Sequence, residues 1–183
     1  MPRLLAVCRV ARLLPDPGTV GVTAIDKRPV EGPVGVRDLG LYGDVQADRA
    51  HHGGLDKALY AYSDEDAVWW AERLGRPVAA GMFGENLRIA GLDVSGAVIG
   101  ERWRIGEAVE VEVTMPRTPC QTFARWVGGA DQRGWVKRFS DERRLGPYLR
   151  VLRNGFVQAG DPIVVLSSPD GAPGLLDAYI DPE

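Results

Sequence analysis

Residues 102–114 read RWRIGEAVEVEVT, and this stretch decides the fold class. Val109, Val111 and Val113 alternate with Glu110 and Glu112, which turns the valines to one face and the glutamates to water, the period of a half-buried strand. Arg102 to Ile105 precedes it, with Gly106 and Glu107 between, so the two segments read as the arms of a hairpin. The same pattern extends outward in both directions. β-branched apolar runs bounded by glycine and proline predict strands at Leu4 to Val10, Gly21 to Asp26, Val34 to Leu39, Lys57 to Tyr62, Asn86 to Ala90, Tyr148 to Leu152 and Pro162 to Leu166. That describes a mostly β domain with a few short helices rather than a series of βαβ units. One helix is well signalled. Ser63 caps it, Asp66 closes a capping box, Gly75 and Pro77 stop it, and Ala67, Trp70, Ala71 and Leu74 form its core face. Only one of the adjacent Trp69 and Trp70 falls on that face, so the pair reads as packing.

With 183 residues, the chain suits one domain, and no repeat or linker divides it. A 45% hydrophobic, 26% charged composition is that of a globular protein, and no apolar run has the length a membrane span needs. Arginines interrupt the apolar N-terminal run MPRLLAVCRVARLLP and no small-residue cleavage site follows, so the expected compartment is the cytoplasm. A net charge of −3 argues against general nucleic-acid binding. Between Arg133 and Arg153, however, seven basic residues face two acids, a run that reads either as a solvated surface or as a surface for an anion. Residues 169–183, with four acids, no base and three prolines, predict a loose acidic tail, so the domain is expected over residues 1–166 and a flexible tail over 167–183.

Two cysteines outside CxxC spacing exclude a disulfide framework and a zinc ribbon. Cys8 lies in an apolar strand and reads as core. Cys120 stands differently. In PRTPCQTF, Thr118 has the form of an N-cap, Pro119 of a first helical residue and Gln121 of the partner in a capping box, so Cys120 falls in the first turn, where free amides and nearby Arg117 favour the thiolate. A small buried residue is the alternative. Both histidines of the chain are adjacent in ADRAHHGGLDKALYAY, residues 47–62. Adjacent side chains point apart, which argues against zinc. An anion cradle fits better, with Gly53 and Gly54 admitting a ligand beside Arg49, Lys57 and an imidazole of His51 or His52; a polar surface turn is the other reading. No ordinary nucleotide-binding glycine loop is present. In GMFGENL, Asn86 adds an amide that can donate and accept.

The segments GLYGDVQADRAHHGGLDKALYAY, GMFGENL, IGERWRIG, PRTPC and GPYLRVLRNGFVQAGDPI follow one another in an order that resembles the MOSC domain, specifically its YiiM-type branch, over residues 20–166. The resemblance implies a β-barrel-like fold that binds a molybdenum pterin cofactor, with Cys120 as the sulfur ligand to the metal and Arg49, His52, Lys57, Asn86 and Arg117 holding the anionic pterin. His51 and His52 would supply protons. It implies a molybdenum-dependent oxidoreductase that removes oxygen from small N-hydroxylated compounds, hydroxylaminopurines or amidoximes among them. A separate electron-donor protein follows as a partner, because two cysteines cannot hold a four-cysteine cluster. Two further readings remain open: a persulfide carrier using Cys120, and a non-catalytic module that stores the pterin. Pyridoxal phosphate, which serves a desulfurase part in fused relatives, is not expected on a chain of this length. Longer YiiM-type proteins continue into a C-terminal helical region that the resemblance does not cover.

Overall fold

The computed structural model describes residues 1–48, 52–129 and 133–179. Strands dominate, and the hairpin that opened the sequence reading forms as expected. β9 (Arg102–Ile105) pairs antiparallel with β10 (Val109–Pro116), with Val109 opposite Ile105 and Val111 opposite Trp103. The three alternating valines are buried and the glutamates between them lie nearer the surface. β10 also pairs with β11 (Pro147–Arg153), which pairs with β7 (Leu59–Ser63).

All five residues of β7 are buried, because both faces of this central strand are covered. Leu59 and Ala61 point into an aliphatic core shared with the β9–β11 valines. Tyr60 and Tyr62 point the other way, into an aromatic core with Trp70, Phe83, Phe123, Trp135 and Phe139. The helices form the far wall of that second core: α1 (Asp64–Leu74), the short α2 (Gln121–Phe123) with a wider turn over Ala124–Gly128, and α3 (Trp135–Asp141).

α1 forms where its caps predict. The Ser63 hydroxyl accepts from the Asp66 amide, and Gly75 closes the helix in a left-handed conformation. Asp66 gives only half of the expected capping box, since its carboxylate is used instead by Ser95 Oγ at 3.0 Å and by Arg144. After α1 the chain returns as β8 (Leu87–Ala90), parallel to β7, so one parallel pair sits inside an otherwise antiparallel sheet. β8 pairs with β1 (Arg3–Val10), which pairs with β4 (Lys27–Val30). β13 (Ile163–Ser167) occupies the other edge, against β9.

This eight-stranded sheet is open, and "barrel-like" overstates it. Its two ends approach through a single bridge, Arg3 to Pro162, supported by the Leu4 amide donating to Asp161 at 2.9 Å. One bridge is too little to make a continuous closing ladder. Two small sheets flank it, β12 (Gly155–Val157) with β5 (Val34–Arg37) and β6 (Gly40–Leu41), and the hairpin of β2 (Leu14–Pro15) with β3 (Val22–Thr23). No helix among the described residues is long and apolar enough to cross a membrane.

One surface reading needs correction. The tail is not loose through residue 179. The Leu175 amide donates to the Ala97 carbonyl at 2.7 Å, the Ile99 amide to Pro173, and Tyr179 meets Ser140 Oγ at 2.6 Å. Leu175 is 0% exposed. Composition missed this because three well-placed apolar side chains can anchor a proline-rich, acidic segment. Leu175→Ala should therefore cost about 2–5 kcal/mol and lower the melting temperature by roughly 4–20 °C, readable by calorimetry. The basic run between Arg133 and Arg153 is largely spent at home. Arg150 pairs with Asp56 and Glu112, Arg153 with Glu110, Lys137 with Asp141, and Arg144 with Asp66.

Candidate functional site

β10 ends at Pro116 and the chain turns at once into Arg117 to Cys120. The turn is fixed from below. The Arg117 amide donates to the Gly146 carbonyl at 3.0 Å, and Gly146 has φ +69 with the Ala61 carbonyl where a Cβ would stand, so only glycine lets β11 start this close to β7. Cys120 is extended and serves as the N-cap of α2. The sequence placed it two positions further in; the helix starts at Gln121, so Thr118 does not cap it.

Around the sulfur lies a cavity of about 750 Å³. Cys120, Arg117, His52, Lys57, Asn86 and Tyr148 all line it. The structure thus brings together segments that the sequence separates by up to 96 residues, from His52 to Tyr148. Arg49 and His51 lie outside the described residues. The His52 amide donates to Asp48 at 2.8 Å, and its Nδ1 stands 3.3 Å from the Tyr148 hydroxyl. Lys57 lies in a short 3-10 turn, Leu55–Lys57, with its Nζ 5.7 Å from the Tyr148 ring centre. Gly54 begins that turn at φ +94, and its amide donates to Gln46 Oε1 at 3.0 Å. The glycine is needed for the backbone conformation that presents Lys57.

Burial alone would raise the Cys120 thiol, but the hydrogen bond with His52, the Arg117 charge and the Phe123 amide outweigh it and pull the pKa from 9.0 to about 6. The thiolate is the resting form at neutral pH, ready as a soft ligand or nucleophile. Cys8 is the opposite case, pushed up to about 12 chiefly by burial, and is inert. Alkylation by iodoacetamide should accordingly rise with pH through a midpoint near 6 at Cys120, and His52→Ala should move that midpoint upward; a mass-resolved rate profile of the metal-free protein reads both.

Arg117 is the second unusual group. It is 5% exposed, with its guanidinium 4.0 Å from the Phe123 ring centre and 5.3 Å from that of Tyr60. Burial works against its charge, yet Tyr60, Tyr148 and Cys120 hold its pKa above the ordinary value. Among the described residues its Nη1 has no hydrogen-bond partner. A buried cation with an unused donor at a cavity wall is costly unless an anion completes it.

Asn86 corrects a sequence expectation. Its Nδ2 donates to Asp44 Oδ2 at 2.7 Å and to the Cys8 carbonyl at 3.2 Å, while its Oδ1 accepts from the Tyr60 amide. Both amide protons are used, so Asn86 builds the wall rather than gripping a guest. Sequence reasoning missed Lys27, which lines the cavity and is paired to Asp44, and Tyr148, which touches His52. Tyr148 lies in the quoted GPYLRV segment and could have been found there. Lys27 carries no local signal. The β2/β3 hairpin also lines the cavity, and Asp16 ties it to the α2 turn through Arg125 at 2.7 Å and Thr122 at 3.1 Å.

Among the described residues no group of three or more His, Cys, Asp and Glu side chains gathers as a metal site. One thiolate beside a cationic wall suits a metal whose other ligands arrive with an anionic organic group.

Comparison with known proteins identifies relatives of the chain. The MOSC domain profile matches residues 48–164. The chain is 41% identical over 148 residues to YiiM of Escherichia coli K12 and 39% identical over 145 residues to YflK of Bacillus subtilis 168; each alignment covers 79% of this chain and 64% of the relative, so the chain spans less than two thirds of their length. A Gibberella moniliformis protein named "Reductase" is 31% identical over 177 residues, which cover 92% of this chain and 30% of that protein. The crystal structure of YiiM from Geobacillus stearothermophilus superimposes with a TM-score of 0.76 at 31% identity, covering 96% of this chain and 80% of that one.

Proposed function

The chain belongs to the MOSC domain family, in its YiiM-type branch, and from that premise we propose that it binds a molybdenum pterin cofactor and reduces small N-hydroxylated compounds. The observation that carries the reading is the pairing of a low-pKa thiolate, Cys120, with the unsatisfied, buried Arg117 Nη1 on one cavity wall. The fit is chemical. A soft sulfur donor meets a soft metal, Arg117 and Lys57 meet the negative charge of a pterin phosphate, and a cavity of about 750 Å³ admits a group of that size.

When bound, the group supplies two-electron oxygen-atom exchange, which is the hard chemistry of removing oxygen from nitrogen. The protein does the rest. Cys120 is the metal's protein ligand. Arg117 and Lys57 hold the anionic part in register, with the aromatic walls of Tyr60 and Phe123 keeping Arg117 planar and in place. His52, hydrogen-bonded to Cys120 and beside Tyr148, delivers protons to the departing oxygen. The net change takes the N–OH group, two electrons and two protons to N–H and water. A name containing "Reductase" on the Gibberella relative, of which this chain matches 30%, supports a redox role for the unit and for an electron source outside it.

The test is the content of the purified protein. After expression in a host competent for the cofactor, the wild type should carry molybdenum and pterin in equal amount and reduce a hydroxylaminopurine when given a chemical reductant. Protein free of both, with a one-sulfur mass adduct on Cys120, would establish the persulfide carrier instead.

A further inference from the structure

We propose that the arginine cluster on β1 and β4 is the docking surface for an acidic electron-carrier protein that reduces the cavity site, an inference that rests on the reductase reading above. Arg9 and Arg28 are direct partners across the antiparallel β1/β4 pair. Like charges in that position oppose the pairing, so the arrangement costs stability and calls for a use. Arg12 and Arg28, with side chains 61% and 62% exposed, share one carboxylate, that of Asp26, which is itself 2% exposed. Arg9 gives its Nη1 to the neutral Tyr42 carbonyl at 2.9 Å. Two guanidiniums on one buried carboxylate, with Arg9 opposite Arg28 on the neighbouring strand, leave a positive field on a chain whose net charge is −3.

The apolar neighbours are those of a protein interface. Tyr42 is 74% exposed and Leu13 50%. Arginine and tyrosine are the types that most often anchor interface centres. A nucleic acid fits less well, because three arginines neutralise only a few phosphates.

The patch also borders the site. Arg9 holds the Tyr42 carbonyl, and Asp44 and Val45 just beyond it line the cavity. Asp44 Oδ1 accepts from the Val10 amide at 2.8 Å, midway between Arg9 and Arg12. A carrier seated on the arginines is thus held at the rim. The carrier is oxidised as two electrons pass from it to the site; with two protons these break the N–O bond of the substrate and form an N–H bond and water. A carboxylate-rich surface around a flavin or iron–sulfur centre is what the patch recognises, through steering that salt weakens.

The experiment uses an acidic [2Fe–2S] ferredoxin and an acidic flavodoxin as probes, with binding to the whole protein followed by biolayer interferometry. Wild type should bind at least one probe at low salt and lose that binding as salt rises. The double variant Arg12→Gln/Arg28→Gln, whose amides can still reach Asp26, and the separate variant Tyr42→Ser should each weaken it at least about tenfold, while Arg153→Gln should not; thermal melts establish that each variant is folded. Absence of binding by both probes, unchanged binding in the patch variants, or tighter binding of a short DNA duplex through the same arginines overturns the proposal. Turnover separates the two readings. If wild type is inactive even with a chemical reductant, the reductase reading falls and the docking proposal falls with it. If the patch variants match wild type both with the chemical reductant and with the carrier, only the docking surface falls; loss with the carrier alone supports it.

Discussion

Cys120→Ser should retain bound pterin yet lose at least about a hundredfold in turnover of a hydroxylamino substrate with a chemical reductant, a loss equal to roughly 2.7 kcal/mol of transition-state stabilisation. The retention follows from geometry, since Arg117 and Lys57 remain in the cavity wall and the N-cap position of residue 120 suits serine. The loss follows from chemistry. A hydroxyl at this position stays protonated where the cysteine is a thiolate at neutral pH, and oxygen is a hard donor where sulfur is soft. Pterin content by fluorescence after oxidation and steady-state rates read the two halves separately. Equal loss of pterin and activity would mean that the sulfur, not the cationic wall, holds the cofactor.

Glu85→Ala should destabilise the fold by about 3–5 kcal/mol and lower the melting temperature by roughly 6–20 °C, the largest single effect on stability expected outside the aromatic core. Glu85 is 0% exposed and accepts from the amides of Gly81 at 2.7 Å and Phe83 at 3.0 Å and from Arg88 Nε at 3.0 Å. Arg88 is buried as well; its remaining protons go to Asp64 at 3.3 Å and to the carbonyls of Val78 and Ala79. Removing the carboxylate leaves a buried cation short of its principal countercharge and two backbone amides without acceptors. Because Asn86 follows Glu85 directly and fixes Asp44 and the Tyr60 amide, the cavity wall should loosen with it. Calorimetry and cofactor content together check the prediction, and Glu85→Gln should fall between variant and wild type.

What could be read from the chain was whatever is written locally. The valine alternation at 109–113, the Ser63 and Gly75 caps of α1, and the placing of a cysteine between a strand end and a helix start all rest on neighbours within a few residues. So does the expectation of a thiolate at Cys120, the direction in which His52 and Arg117 pull it. β4 was not legible, since Pro29 interrupts it and only an edge strand tolerates that. β6 and β12, two and three residues long, are too short to show a period. Lys27, Asp44 and Asn86 meet only in three dimensions, and an asparagine whose protons are already committed looks the same in a sequence as one with protons to spare. The tail misled for a related reason. Its composition is that of a solvated segment, and the burial of Leu175 is a property of the surface it lands on.

The position of β1 in the sheet has a kinetic meaning. β1, the first of the described strands, is an interior one, flanked by β4 from the next twenty residues and by β8, which begins at Leu87. Its β4 partner can form early as a local pairing, but the opposite edge of β1 stays uncovered until some eighty further residues have been made. Its start then meets Pro162 last of all, near the other end of the domain. Pairings of such long sequence separation make folding slow and leave a hydrophobic strand edge open meanwhile. The nascent chain is therefore most prone to aggregate while β8 is still unmade, and refolding from denaturant should proceed through a species in which β1 and β4 are paired and β8 is not.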